Sequence, residues 1–222
     1  MIVANRKGFD EIVAMLGNRR KILLLGCNEC VTVCGAGGER EVAVLASELR
    51  LYWKKAGEEF DIKEHTLERQ CDYEYVDQIR GFAGDYDVLL SMACGAGVQY
   101  VAEAYRTKLV MPAVNTTFLG VTLEQGVWSE RCQGCGSCIL DMTGGVCPIA
   151  RCAKSLLNGP CGGSSGGKCE VDRETDCGWQ LIIDRLKDLG QLDRYADIIP
   201  VKDWRSSREA GPRRRVREDL RL

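Results

Sequence analysis

The run Ile22-Leu23-Leu24-Leu25-Gly26-Cys27 decides the fold. Four successive apolar side chains with no polar alternation suit a strand covered on both faces, as in parallel sheets flanked by helices. Upstream, Phe9, Ile12, Val13 and Leu16 recur at helical spacing and predict a short amphipathic helix over 8–17. Downstream, a glycine-rich turn, Gly35-Ala36-Gly37-Gly38, feeds a predicted helix over 39–56, with Val42, Leu45, Ala46 and Leu49 on one face. A strand over 60–67, a helix over 73–82, a strand over 87–92, a helix over 98–105 and a strand over 109–114 follow. Strands alternating with helices imply parallel pairing through right-handed crossovers. The expected architecture is α/β: a doubly wound, Rossmann-like parallel sheet over 1–126, then a small cysteine-rich, metal-stapled segment over 127–178. A docking helix and basic tail over 179–222 complete the chain.

Composition narrows the function. The 222 residues are 45% hydrophobic and 28% charged with a net charge of −2, ordinary for a globular chain. A polyanion partner for the whole chain is not expected, so no nucleic acid is assigned. The most apolar short run, Ile22–Leu25, is far too short for a transmembrane helix, and no membrane partner is expected. The opening residues lack the charged, apolar and small-residue regions of a secretory signal, so a cytoplasmic address is expected. The tail over 202–222, with Arg213-Arg214-Arg215, reads as a solvated or partner-docking extension in preference to a nucleic-acid site.

The anomaly is thirteen cysteines against one histidine. An odd number leaves one thiol over in a complete disulfide framework, and a reducing compartment favours metal-thiolate chemistry. Cys132-x2-Cys135-x2-Cys138 is the strongest single motif, because two-residue spacing lets a tight turn present thiolates to separate irons of one cluster. Cys147-Pro148 adds the Cys-Pro step of ferredoxin-type segments, although its distance from Cys138 exceeds the bacterial ferredoxin spacing. Cys152, Cys161, Cys169 and Cys177 can complete that cluster or build a second tetrathiolate site, for which structural zinc is the rival metal.

Five further cysteines precede this segment. Cys27 ends the first predicted strand, Cys94 lies just past the strand at 87–92, and Cys71 follows the second strand by a few residues. The carboxyl ends of parallel strands gather on one edge, where α/β folds bind ligands. Cys30 and Cys34 occupy the adjoining first strand-to-helix loop. A second cluster is the expectation, against the alternative of five buried core thiols. The Gly35–Gly38 turn lacks the full dinucleotide fingerprint, and close backbone approach is preferred to phosphate binding there. His65 is solitary, and no nucleophile–base pair can be assembled, so no catalytic residue is assigned.

The stretches beginning Gly26-Cys-Asn-Glu-Cys-Val-Thr-Val-Cys-Gly-Ala-Gly-Gly38, Arg69-Gln-Cys71 and Ala93-Cys-Gly-Ala-Gly-Val-Gln99 resemble the methylenetetrahydrofolate reductase C-terminal domain family. So do residues 132–138, Cys147-Pro-Ile-Ala-Arg-Cys152 and Gly159-Pro-Cys-Gly-Gly163, and the likeness covers about residues 15–205. The resemblance implies an oxidoreductase role as an electron-transfer subunit in one-carbon metabolism. It implies [4Fe-4S] clusters, one or two, with zinc as an associated metal. It places the flavin, FMN, and the folate site on a large partner subunit that reduces methylene- to methyl-tetrahydrofolate. Heterodisulfide-reductase-like or other electron-donor subunits are further implied partners. On this reading one cluster uses Cys30, Cys34, Cys71 and Cys94, with Cys27 as an alternative ligand. The other draws on Cys132, Cys135, Cys138 and one later cysteine. Two rival classes stay open: a zinc-stapled scaffold, and a free-standing iron–sulfur redox enzyme.

Overall fold

The computed structural model describes residues 1–221 and resolves two compact units, the first Met1–Trp128 and the second beginning at Ser129. In the first unit, strands β1 (Ile2–Arg6) and β2 (Lys21–Cys27) flank helix α1 (Phe9–Leu16). The short helix α2 (Cys30–Val33), the long helix α3 (Glu39–Ala56), β3 (Asp61–Leu67) and α4 (Tyr73–Val76) follow. Then come β4 (Val88–Ser91), α5 (Gly95–Ala104), β5 (Leu109–Pro112) and β6 (Val114–Glu124), and β7 (Val127–Cys132) carries the chain across the division into the second unit.

Strands β2 to β5 form a parallel four-stranded sheet in the order β3-β2-β4-β5. Ile22, Leu23, Leu24 and Leu25 are each fully buried. Their pleat divides them between two cores: Ile22 and Leu24 pack with α1 and α3, and Leu23 and Leu25 with Val76, Ile79 and Val101. The unbroken apolar run therefore fills both faces of the sheet. Each such side chain contributes about 1.5–3 kcal/mol on burial. After β2 the chain adds β3 on one side, then crosses to add β4 on the other. The sheet thus has a topological switch point between β2 and β4, and the carboxyl edge at such a point is where α/β folds bind ligands.

Two features depart from the expected elements. Residues 73–82 do not form one helix: α4 gives way to single 3-10 turns at Asp77–Ile79 and Ala83–Asp85. Gly81 and Gly84 interrupt the run, and glycine disfavours a continuous helix. A second sheet, ordered β1-β6-β7, was not expected. In it β1 runs antiparallel to β6, from Ile2 opposite Leu119 to Arg6 opposite Val114. Arg6 also makes a forked ion pair with Glu48 of α3, at 2.8 and 3.3 Å.

Past β7 the second unit is mostly turns. Its helices are α6 (Pro148–Arg151) and α7 (Gly178–Asp188). The buried core here comprises Cys177, Trp179, Ile182, Leu186 and Ile199. Among the described residues, no helix is long and apolar enough to cross a membrane.

Candidate metal-thiolate sites

Cys27 is the last residue of β2, Cys30 opens α2, Cys71 precedes α4, and Cys94 caps α5. All four stand at the carboxyl edge of the parallel sheet. Cys27 and Cys94 come from the two strands that flank the switch point. Cys27 feels the charge of Cys71 and Cys94, and Cys71 that of Cys94 and Cys30, which ties the four into one electrostatic neighbourhood. Burial pushes the Cys27 thiol up, and the backbone of Glu29 and Gln70 partly offsets it. Cys71 is raised by burial first and by Cys94 next.

Cys34 is turned elsewhere. Its sulfur is buried under β1, accepting from the Ala4 amide at 3.4 Å, with the Ala4 and Val31 carbonyls 3.6 Å away. The turn that follows explains why the chain needs glycine here. A Cβ on Gly37 would overlap the Met92 carbonyl oxygen, and the Gly37 carbonyl accepts from the Cys27 amide at 2.9 Å. The Gly38 amide at the start of α3 is taken by the Glu41 carboxylate at 3.0 Å. A carboxylate of the chain thus occupies the helix start that a phosphate would use.

The second unit gathers four of its eight cysteines at one place. Cys152, Cys161, Cys169 and Cys177 line one enclosed cavity of about 10 Å³, together with Glu170, Gly178 and Trp179. That volume admits a single water-sized body. A small hairpin shapes it: Cys169 donates its amide to Thr175 at 2.9 Å, Cys177 to Gly167 at 2.8 Å, and Lys168 pairs with Asp176 at 2.7 Å. Cys161 points its thiol at the Glu170 carboxylate at 3.6 Å, and Lys154 pairs with the same carboxylate. Trp179 closes the floor, held by its ring N–H to the Leu156 carbonyl at 2.8 Å.

Cys132 ends β7, and Cys135 and Cys138 sit on the loop that follows, kinked by left-handed glycines, Gly134 at φ 61° and Gly136 at φ 88°. The Gly134 amide donates to the Cys132 sulfur at 3.3 Å. Cys147 caps α6, immediately before Pro148. Part of the tail bonds back to this loop, while Arg213, Arg214 and Arg215 themselves stay exposed. Lys202 is only 6% exposed and donates to the Ser137 carbonyl. Ser206 donates to the Cys135 carbonyl at 3.1 Å, and Arg213 to the Gly134 carbonyl at 2.7 Å. Sequence reasoning could not find these partners, because side-chain-to-carbonyl bonds leave no local pattern.

Among the described residues, no three His, Cys, Asp or Glu side chains are placed to hold one metal ion at a common point. The donor sets nevertheless suit thiophilic metals. Thiolates of a cubane bind separate irons, so they surround a volume without meeting at a point. Cys27, Cys30, Cys71 and Cys94 share one electrostatic neighbourhood at the sheet edge, and thiols of this kind are the donors such a cluster takes. The four-cysteine cavity is small, and its thiols do not meet at a common point.

Among known proteins, no curated protein and no solved structure matches the chain. Residues 111–205 match the sequence model of a family described as Methylene-tetrahydrofolate reductase C terminal. That stretch runs from β5 through both cysteine sites of the second unit and leaves the Cys27–Cys94 edge outside it. This part of the chain is thus similar to the C-terminal region of methylenetetrahydrofolate reductases, which supports a relation to that oxidoreductase family.

Proposed function

We propose that this chain is the small, non-flavin subunit of an acetogen-type methylenetetrahydrofolate reductase complex and carries electrons to it through iron–sulfur clusters. The observation that supports this most directly is the gathering of Cys27, Cys30, Cys71 and Cys94 at the switch-point edge of the parallel sheet. A cluster bound at that edge supplies one-electron transfer. The chain's own work is to hold it, limit water access and set its potential through amides and nearby charge. The second cluster belongs to Cys132, Cys135 and Cys138, with Cys147 as the fourth ligand. The large partner subunit contributes FMN and the folate site, and heterodisulfide-reductase-like or other donor subunits supply electrons.

The Cys152, Cys161, Cys169 and Cys177 cavity favours a zinc staple in the same chain. All four cysteines line one small cavity of a turn-rich segment, and a structural zinc would draw their thiolates in to a common point. On this reading zinc supplies folding energy that the sparse apolar core around Trp179 lacks.

The test is metal and acid-labile sulfide analysis of anaerobically purified chain. About eight irons with about one zinc support both proposals. Zinc without sulfide overturns electron transfer and leaves a scaffold. Cys135→Ala should bleach one cluster and abolish donor-dependent reduction of the partner flavin, with the parallel sheet intact by circular dichroism. Survival of both signals would end the electron-transfer reading.

A further inference from the structure

The four thiols at the sheet edge are not equally covered. Cys27, which ends β2, is only 8% exposed, and its thiol lies 3.8 Å from the Glu68 carbonyl. Cys30 and Cys94 are partly buried, and of the four only Cys71 is exposed. Topology explains the gradient. Cys27 is held in the sheet opposite Leu67, whereas Cys71 stands beyond the end of β3, on the turn before α4. Gln70 just before it is fully buried, and Tyr73 just after it is 65% exposed. A cluster bound by these thiols is therefore shielded at its Cys27 corner and open at its Cys71 corner.

Charge around the open corner has mostly one sign. The stretch from Glu68 to Glu74 carries Glu68, Asp72 and Glu74 against Arg69 alone, and Glu29 adds a carboxylate beside Cys30. Arg69 is shared between Glu29 at 4.0 Å and Asp72 at 3.8 Å, so its charge is already balanced. Glu68 and Glu74 are exposed and have no cationic partner among the described residues. Residues 92–99, around Cys94, contribute no charge, and Arg40 at the start of α3 lies between Glu39 and Glu41. A cubane held by four thiolates is itself anionic. Such a surface steers basic partners inward and turns acidic ones away. The stretch similar to methylenetetrahydrofolate reductases, residues 111–205, leaves this edge outside, which assigns the edge to a different partner.

We propose that the Cys71 corner is the port at which electrons enter this chain, and that its partner there is a one-electron carrier protein whose redox centre is ringed by basic residues. The proposal rests on the electron-transfer reading and names the partner of its sheet-edge cluster. One electron leaves the carrier's reduced centre, which is oxidised, and reaches the cluster, which is reduced; no bond or proton moves. Electron transfer weakens steeply with distance, so the exposed corner is the competent one. Glu29, Glu68, Asp72 and Glu74 steer the carrier and ligate nothing.

The experiment uses the full-length, iron-loaded Cys135→Ala chain, in which the sheet-edge cluster is the one left to read. Stopped-flow absorbance follows its reduction by two photoreduced viologens, methyl viologen, a radical cation, and propyl viologen sulfonate, a radical anion. The cation should react faster, with a rate that falls on adding salt, while the rate of the anion should rise. In this background Glu68→Lys/Glu74→Lys should slow the cation about tenfold at low salt and speed the anion. Glu68→Gln/Glu74→Gln should fall between, and Glu59→Lys, before β3 at the opposite end of the sheet, should change neither rate. Equal, salt-independent rates, or double variants that react as their parent does, would overturn the port. Loss of affinity for the reductase large subunit in the double variants, read by gel filtration, would overturn the assignment to a carrier. Absence of iron from the Cys135→Ala chain would overturn the electron-transfer reading at this edge, and the port with it.

Discussion

The Ser91 hydroxyl donates to the side-chain carbonyl of Gln70 at 2.7 Å, and both residues are fully buried. The Gln70 amide in turn donates to the carbonyls of Leu25 and Gly26, at 3.0 and 2.8 Å. Ser91 also accepts from the Ala93 amide at 3.2 Å. One glutamine therefore ties the end of β2 to the end of β4 and to the segment just before Cys71. The three loops that carry Cys27, Cys71 and Cys94 share this fastening.

Gln70→Leu keeps the volume and removes the three bonds that Gln70 makes, leaving two buried carbonyls without their side-chain donor. It should destabilise the chain by about 2–5 kcal/mol, read as a lower urea midpoint. It should also cut the iron retained after anaerobic reconstitution, because the thiols lose their common reference. Wild-type stability in this variant would show that the fastening is idle.

Cys34 and Cys27 should behave differently when replaced. The Cys34 sulfur is enclosed by Ala4 and Val31, so Cys34→Ala should keep the full iron content at a cost of about 1–2 kcal/mol in stability. Cys27→Ala should lower iron and acid-labile sulfide together. Loss of iron in the Cys34 variant would make that sulfur a ligand.

His65 gives a pH dependence. Its Nε2 is buried without a partner, its ring packs edge-on to Phe82 at 5.4 Å, and Lys63 stacks on the same ring. Burial first, then Lys63, lower its pKa below the ordinary histidine value of 6.5. The unfolded chain thus binds a proton before the folded chain does. The stability contribution is complete above pH 6.5 and declines as pH falls from there through the folded value. Thermal melting between pH 8 and pH 5 should fall less steeply in His65→Gln than in wild type. Parallel curves would refute the assignment.

Metal removal should be visible in Trp179, which lines the four-cysteine cavity and anchors the core of the second unit. On zinc chelation its fluorescence should shift to the red, and proteolysis should cut within 152–177 while the parallel sheet stays protected. The converse order of loss would mean that zinc is not the staple.

Much of the first unit was readable from local pattern, for identifiable reasons. Ile22–Leu25 and the helix Glu39–Ala56 carry their own periodicity, and the edge shared by Cys27, Cys71 and Cys94 follows from where strands end. β1 was not readable, because five residues with mixed burial gain their stability from β6, more than a hundred positions away. The orientation of Cys34 depends on that same strand, so it was equally hidden. The docking of Lys202 and Arg213 lies in single hydrogen bonds to loop carbonyls, which no spacing rule encodes.

The switch-point edge also sets an order of assembly. Cys27, Cys71 and Cys94 become neighbours only when β2, β3 and β4 have paired, so no short peptide from this region reproduces the site. The four-cysteine cavity, by contrast, draws all its thiols from one continuous stretch, and an ion can recruit them while the chain is still being made. On the proposed function, maturation would be divided: one metal would take part in folding, and cluster delivery at the sheet edge would wait for a finished scaffold.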